Sequence, residues 1–199
     1  MFVTRDDLKD ELLIAEEFYE LENMPSAISL FEELSRDGMP EATRRLAFIY
    51  LTGDGVEKDE VKARKLYNQS VDQLNTLSNQ GNSVASLALG KIYQYGNKCS
   101  RNFEFAIRFF KAAIDQGSSE AMLKMAHIYR FGWCDQDQSE DCYLYYLEMA
   151  VKHSEPEALY EKGLLLKNED ENLSLKLIKQ SANSGFYPAS EYLENLPRQ

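Results

Sequence analysis

Small and apolar residues recur along the chain at spacings of three and four positions, the spacing of one face of an α-helix. In each case a small residue is followed four positions later by alanine, in the pairs Gly38/Ala42, Gly81/Ala85, Gly117/Ala121, Ser154/Ala158 and Gly185/Ala189. A second series follows the first four alanines by four and five positions, namely Leu46-Ala47, Leu89-Gly90, Met125-Ala126 and Lys162-Gly163. The pattern predicts a repeated amphipathic helix.

A second set of pairs, four residues apart, predicts another helix in each repeat. These pairs are Ala27/Phe31, Ala63/Tyr67, Ala106/Phe110, Tyr143/Leu147 and Ser174/Ile178. Gly53, Gly96 and Gly132 lie between the two helices, where glycine ends a helix by adopting the left-handed conformation. Each repeat is therefore predicted to be a helical hairpin. One hairpin cannot bury its apolar face alone, whereas stacked hairpins can, so we expect an all-α solenoid of stacked antiparallel helix pairs.

The residues from Ala42 to Tyr67 carry a pattern that resembles a known family. Ala42, Leu46-Ala47, Tyr50, Gly53-Asp54-Gly55 and Asp59 resemble the SEL-one-like repeat, a branch of the tetratricopeptide-like helical repeats. The resemblance covers about residues 38–188 and implies a superhelical stack of about five units and a closing helix. We expect a single domain over 1–199, divided into a tetratricopeptide-like N-terminal cap (8–38), SEL-one-like units (39–81, 82–117 and 118–154), a short unit (155–185) and a closing helix with tail (186–199).

The unit over 39–81 carries seven extra residues between Tyr67 and Gly81. Seven residues make about two helical turns, or roughly 10 Å. We expect either a longer second helix or a projecting loop. This insertion is either a partner contact or a neutral extension.

Charge excludes some classes of partner. The chain has 33 acidic and 22 basic residues and a formal net charge of −11. Residues 1–41 hold 12 of the acids and 3 of the bases. Such a chain is a poor candidate for binding nucleic acid, because proteins bind the phosphate backbone chiefly through lysine and arginine. An acidic membrane surface would repel it as well. A basic protein would be attracted. The acidic N-terminal run is alternatively a solvated cap.

The start of the chain and its few cysteines point to one compartment. The N-terminus has no apolar segment of the signal-peptide type, and no stretch approaches 18 consecutive apolar residues. Three cysteines leave at least one without an intrachain partner, which suits a reducing environment. We expect a cytoplasmic protein that is monomeric on its own.

The resemblance implies protein binding along a concave groove formed mainly by the first helices. The side chains expected to face that groove are Arg44, Phe48, Leu51, Leu87, Lys91, Gln94, Tyr95, Leu123, His127, Arg130, Phe131, Tyr160, Leu164 and Lys167. Aromatic residues and arginine are typical of binding hot spots. The alternative interpretation is that Phe48 and Phe131 only fill gaps between units.

The chain shows no legible catalytic, cofactor or metal motif. His127 and His153 lie 26 positions apart, and a lone histidine in a helical groove is more often a polar contact than a ligand. Cys134 and Cys142 are eight apart, the disulfide spacing of secreted SEL-one-like proteins with penicillin-binding activity. Here the pair falls within one unit, so an enzyme of that type is disfavoured. Cys99 and Cys134 are expected to be partly exposed in hairpin loops, and a redox role stays open.

Two functions agree with this pattern. The first is a non-catalytic adaptor that binds another protein or a peptide segment through its groove or acidic surface. The second is an immunity protein that neutralises a basic bacterial toxin by direct binding, which small size and net negative charge would suit. The partner itself cannot be read from the sequence.

Overall fold

A computed structural model describes residues 5–95 and 101–196, and this part of the chain is helical throughout apart from short connections. The helices are α1 (Arg5–Glu20), α2 (Met24–Arg36), α3 (Pro40–Thr52), α4 (Glu60–Asn79), α5 (Ser83–Tyr95), α6 (Phe103–Asp115), α7 (Ser119–Phe131), α8 (Glu140–Lys152), α9 (Pro156–Leu166), α10 (Glu171–Asn183) and α11 (Tyr187–Glu194). None of these described helices is both long enough and apolar enough to span a lipid bilayer.

The chain packs as two compact bodies, which we call the N-terminal body (up to Gln80) and the C-terminal body (from Gly81). In the N-terminal body α1 packs against α2, α2 against α3, and α3 against α4. Its core consists of Ala15, Ala27, Phe31, Leu34, Ala42, Leu46 and Ile49. Several of these are the small and large residues from which the sequence predicts the repeat.

In the C-terminal body each odd-numbered helix packs against the next, as α5 with α6, α7 with α8 and α9 with α10. Further contacts join α6 to α7, α8 to α9, and α10 to the closing helix α11. Phe110, Met125 and Ile128 lie in one buried cluster, and Leu123, Tyr143 and Leu147 in a second. The predicted fold class, stacked helix pairs without sheet, is confirmed for the described residues. The exact division into repeats stays a prediction.

Helix boundaries follow from residues with special backbone properties. Pro40, Pro156 and Pro188 lie in the first turns of α3, α9 and α11, where a missing N–H costs nothing. Gly53 and Gly132 end α3 and α7 with φ values of 80° and 67°. This left-handed conformation suits glycine because a Cβ would clash there. Gly96, the third glycine expected to end a helix, lies outside the described residues.

Glycine also allows two helix pairs to approach closely. A Cβ added to Gly90 on α5 would lie 2.5 Å from Cδ1 and Cε1 of Phe110 on α6. One added to Gly163 on α9 would lie 2.6 Å from Cγ1 of Ile178 on α10. Atoms cannot approach so closely in a packed interior. The small positions of the first helices therefore set the spacing within these hairpins.

The seven-residue insertion is helical. It lengthens α4 to 20 residues, whereas α3, α5 and α6 each have 13. Leu74 and Ser78 in the added turns are buried, and Gln73 donates a hydrogen bond from Nε2 to the carbonyl oxygen of Ser35 at 3.1 Å. Of the two expected forms, a longer helix and a projecting loop, the first is correct.

Ser154, which follows α8, offers a route to greater stability. Its φ is 57°, whereas Gly38, Gly81, Gly117 and Gly185 occupy the corresponding turns with φ between 85° and 90°. A non-glycine residue in the left-handed region of backbone conformation is strained by about 1 kcal/mol or more. Replacing it with glycine removes this strain but also raises the entropy of the unfolded chain, which offsets part of the gain in stability.

We expect Ser154→Gly to raise the free energy of unfolding by about 0.5–1 kcal/mol. Urea denaturation monitored by circular dichroism measures this change. Ser154→Ala is the control, since alanine keeps the Cβ and should bring no gain. Equal midpoints for the glycine and alanine variants would contradict the explanation.

Candidate functional site

The residues expected to face a groove differ in their accessibility. Arg44, Phe48, Tyr95, Arg130, Phe131, Leu164 and Lys167 are exposed. Leu51, Lys91 and Tyr160 are half-buried. Leu87, Gln94, Leu123 and His127 are buried. Leu87 and Leu123 belong to the hydrophobic clusters of the C-terminal body, so they support the surface from beneath. That these residues bind a partner stays a prediction.

In the N-terminal body, Arg44, Phe48 and Leu51 lie on α3. Phe48 is 48% exposed, which is unusual for a phenylalanine in a helix whose other face is buried. These three residues form a small apolar surface beside a cation.

Two predicted residues at the end of α5, Gln94 and Tyr95, line an open cleft in the C-terminal body together with the loop that follows α7. The predicted Arg130 and Phe131, at the end of α7, lie beside this cleft and not in its wall. The cleft has a volume of about 390 Å³. It is lined by Gln94, Tyr95, Arg101, Phe103, Gly132, Trp133, Cys134 and Asp135, and we call it the Trp133 cleft. Gly132 turns the chain at the end of α7 and so places Trp133 and Cys134 on the cleft wall.

Three aromatic side chains in or beside the cleft are exposed. Tyr95 is 57% exposed, Phe131 46% and Trp133 44%. The rings of Phe131 and Trp133 lie 4.9 Å apart between centroids and are tilted by 30°. The guanidinium of Arg130 lies 5.4 Å from the centre of the Phe131 ring. Neighbouring exposed aromatic residues and arginine form the composition that dominates protein-binding hot spots.

Gln94, one of the residues that line the Trp133 cleft, carries a buried polar atom with no partner in the described part of the chain. The residue is only 8% exposed, and its Oε1 is buried without a hydrogen-bond partner among the residues that the structure describes. Leaving a buried acceptor unpaired costs about 1–3 kcal/mol of folding free energy. A ligand N–H group in the cleft would relieve this cost if the Gln94 side chain rotated to bring Oε1 to the cleft surface.

Beside the cleft, a group of polar side chains joins α7, α8 and α9. His127 Nε2 lies 2.6 Å from Oε1 of Glu161. Arg130 Nη1 donates to the Tyr143 hydroxyl at 3.1 Å and lies 3.4 Å from Oε2 of Glu161. A carboxylate oxygen of Glu157, one turn before Glu161, lies within 4.8 Å of both the histidine nitrogen and an oxygen of Glu161.

Tyr143 remains protonated in this group. Burial, followed by the negative charge of Glu161, raises the pKa of the Tyr143 phenol to about 12. The hydroxyl can therefore donate to Oε2 of Glu161, from which it lies 3.5 Å away. Tyr143 is also among the largest fully buried side chains, so this contact is anchored in the core.

Cys134 was expected to be partly exposed, and this prediction is wrong because the residue is buried. It is 4% exposed, because two consecutive left-handed residues, Cys134 and Asp135, turn the loop so that the thiol packs into a hydrophobic cluster. Burial, followed by the charge of Asp135, raises the pKa of the Cys134 thiol to about 11. Little thiolate forms at neutral pH, which makes it a poor redox centre. Cys134 and Cys142 are free thiols, and Cys99 lies outside the described residues.

Three groups that shape this surface were not among the predicted site residues. Trp133 was missed because it lies in the loop beyond α7, and Glu157 and Glu161 because they occupy α9 positions outside the groove pattern. The four-residue spacing of the two glutamates is legible in the sequence, since it places both on one helix face. Their approach to His127, 30 and 34 positions earlier, is not.

Comparison with known proteins identifies the repeat. The Sel1 repeat family model matches residues 40–73, 83–118, 119–154 and 158–186. "Protein sel-1 homolog 2" of Homo sapiens is 29% identical over 110 residues, which are 55% of this chain and 15% of the human protein. The chain thus matches a small part of that relative's length.

Solved structures share the fold. A Sel1 repeat protein from Oxalobacter formigenes superposes with a TM-score of 0.63 at 19% identity, covering 94% of this chain and 78% of the other. The protein c5321, described as a protective antigen of uropathogenic Escherichia coli with an SLR fold, gives a TM-score of 0.54 at 18% identity. It covers 95% of this chain and 48% of the other.

Proposed function

Since the chain belongs to the Sel1 repeat family, whose fold is a protein-interaction module, we propose that it is a non-catalytic binding protein that holds a segment of a partner at the Trp133 cleft. The observation that carries this proposal is that exposed Tyr95 and Trp133 line one cleft with Gln94, whose buried Oε1 has no hydrogen-bond partner among the described residues. Rings offer apolar contact, and the amide oxygen accepts a hydrogen bond.

An extended peptide suits this combination. Its backbone N–H groups could pair with the Gln94 amide oxygen once that side chain rotates toward the cleft, and its side chains can lie on the aromatic rings. Arg101 and Asp135 on the cleft wall offer a charge of each sign, so a partner with mixed charge would find complementary groups. The cleft is open, so it suits a continuous segment better than an enclosed small molecule.

The cleft can be tested with the chain's own fluorescence. Trp133 is the single tryptophan in the sequence, so its emission reports on the cleft directly. Peptides are selected from a random display library on the wild-type protein, and their affinities are measured by titration of that emission. We expect the triple variant Tyr95→Ala/Arg130→Ala/Phe131→Ala to weaken binding by about 100-fold or more, since it removes Tyr95 from the cleft wall and the arginine and aromatic side chains beside Trp133.

The control triple variant is Arg108→Ala/Tyr145→Ala/Tyr187→Ala, which likewise removes one arginine and two aromatic side chains, from exposed positions outside the cleft lining. It should bind within twofold of wild type, and both variants should keep their helical circular dichroism. Equal loss in the two triple variants, or a library that returns no binder, would contradict the proposal.

We propose two kinds of binding protein, one broader and one narrower. The broader proposal is an adaptor that exchanges partners sharing one segment. The narrower one is an immunity protein, for which the argument is the net charge of −11 and its attraction for a basic toxin. Co-purification from the native cell with low-salt and high-salt washes separates them. A single basic, stoichiometric partner that survives high salt supports the immunity protein, and several weaker partners support the adaptor.

The proposed location is the cytoplasm, and the proposed free state is a monomer. The free thiols of Cys134 and Cys142 support the location, because thiols persist in reducing compartments. Fractionation of the native cell and analytical ultracentrifugation of the purified chain test these two statements.

A further inference from the structure

We propose that His127, Glu157 and Glu161 form a binding site for a divalent transition-metal ion of the zinc type. His127 lies on α7 and both glutamates on α9, within the C-terminal body. One nitrogen of His127 and one carboxylate oxygen of each glutamate lie within 4.8 Å of one another. None of these three residues lines the neighbouring Trp133 cleft, so the proposal does not rest on peptide binding there.

The donor set selects the class of ion. Zinc binds histidine nitrogen at about 2.0–2.1 Å and carboxylate oxygen at about 2.0–2.2 Å, so two ligands of a tetrahedral ion lie about 3.4 Å apart. His127 Nε2 and Glu161 Oε1, now hydrogen-bonded at 2.6 Å, would exchange their shared proton for the ion and move apart by about 0.8 Å. The carboxylate of Glu157, within 4.8 Å of both atoms, would complete the set by rotation of its side chain. One imidazole with two carboxylates favours zinc, nickel, cobalt or copper. Calcium and magnesium prefer sites made of oxygen alone.

Neighbouring groups hold Glu161 in the orientation that a ligand needs. Its Oε2 lies within hydrogen-bonding distance of Arg130 and of the Tyr143 hydroxyl, at 3.4 and 3.5 Å, while its Oε1 points to Nε2 of His127 at 2.6 Å. One carboxylate oxygen is thus fixed by the protein, and the other is directed at the histidine. Groups that orient a ligand in this manner commonly raise metal affinity by about 10–100-fold.

The imidazole is held on its other sides by aromatic rings. The centroids of the Phe131 and Trp133 rings lie 5.9 and 6.4 Å from that of His127. The His127 side chain is only 11% exposed, and that of Glu161 18%. Arg130 places a positive charge near the site, but it faces the oxygen of Glu161 turned away from His127. Two carboxylates against one guanidinium leave a net negative charge for the ion.

An ion in this position would join two consecutive hairpins, because α7 pairs with α8 and α9 with α10. Anything that binds the folded state alone stabilises it by mass action. The expected consequence is a protein whose thermal midpoint rises with zinc concentration and does not respond to magnesium or calcium.

The test uses tag-free protein and the ions themselves. Nickel and copper ions quench tryptophan fluorescence at short range, and Trp133 stacks edge-on to His127, so their binding is read from its emission. Zinc is then added to displace the quenching ion, and its affinity and stoichiometry are measured by calorimetry. We expect one zinc ion per chain, a rise of several degrees in thermal midpoint, and absorption bands of a cobalt complex with nitrogen and oxygen ligands.

Matched variants identify the ligands. Glu157→Gln removes one donor from an α9 position that is half-buried, and we expect at least tenfold weaker zinc binding and loss of the thermal shift. His127→Gln should do the same. The controls are Glu148→Gln, which makes the same charge change on α8, and His153→Gln, which removes the other histidine. Both controls should bind zinc as wild type does.

Some results would overturn the site. Absence of zinc heat and of nickel quenching at millimolar ion would do so, as would equal weakening in Glu157→Gln and Glu148→Gln. Binding that is lost in His153→Gln but kept in Glu157→Gln would also reject it, because the ion would then be held elsewhere. None of these outcomes depends on the peptide titrations, so either proposal can fail without the other.

Discussion

Phe31→Ala is expected to lower the free energy of unfolding by about 3–5 kcal/mol. Phe31 is 0% exposed and lies in the core of the N-terminal body, where α1, α2 and α3 meet. Truncation removes the transfer free energy of the ring and leaves a cavity that the surrounding helices fill only in part. Urea denaturation followed by circular dichroism measures the loss.

Phe48→Ala is the matched control in the same body. Phe48 is 48% exposed, so the same truncation should lower stability by less than about 1 kcal/mol. The comparison also tests whether Phe48 only fills a gap between units. A loss in Phe48→Ala close to that of Phe31→Ala would establish a packing role and would remove Phe48 from the predicted binding residues.

Gly90→Val is expected to destabilise the protein by about 3 kcal/mol, near the upper end of the range for overpacked cores. The new Cβ would lie 2.5 Å from two atoms of the Phe110 ring, which is itself 0% exposed and enclosed. Either the ring leaves its position or α5 moves away from α6. Gly90→Ala should have a smaller effect. Alanine brings the same Cβ against Phe110, but it lacks the two further methyl groups of valine, and its helix propensity is about 1 kcal/mol more favourable than that of glycine.

A double-mutant cycle tests the cause. Phe110→Leu makes room beside position 90 at the cost of some core packing. If the clash is responsible, Gly90→Ala combined with Phe110→Leu should lose less stability than the two single variants added together. Strict additivity in urea denaturation would mean that Gly90 matters for a reason other than the approach of α5 to α6.

The helices and their pairing could be predicted because their signals are local. Pro40 and Pro156 mark first helical turns, and Gly53 and Gly132 mark ends, through the backbone conformations that these residues favour. The spacing of three and four positions identified the faces that became the core. Even the seven-residue insertion continues a helical pattern, as the burial of Leu74 shows.

The sequence predicted only in part which of the expected groove residues are exposed. Seven of the 13 residues of α7 are buried, because α6 packs on it as well as α8. The buried arc is therefore wider than the one face that the sequence pattern marks. Leu123, three positions before Ala126, falls inside this wider arc, whereas Arg130 and Phe131 at the end of the helix stay exposed.

Contacts between distant positions were beyond the sequence. Glu161 meets His127 across 34 residues, and that meeting depends on how far α9 is shifted along α7. Cys134 is buried by two consecutive left-handed residues in a loop whose composition does not signal them. Side-chain chemistry thus predicts where helices begin and end more readily than which side chains face each other between hairpins.

The capped helix starts have a consequence for how the chain reaches its fold. Asp59, Asn102, Ser139 and Asp170 each accept hydrogen bonds from the first backbone N–H groups of the helix that follows. Within each body the helices pack chiefly on their neighbours in sequence. Proteins with such low contact order close short loops and fold rapidly. On the ribosome, each further hairpin of a body can therefore dock on the one before it soon after its second helix emerges, before the rest of the chain exists.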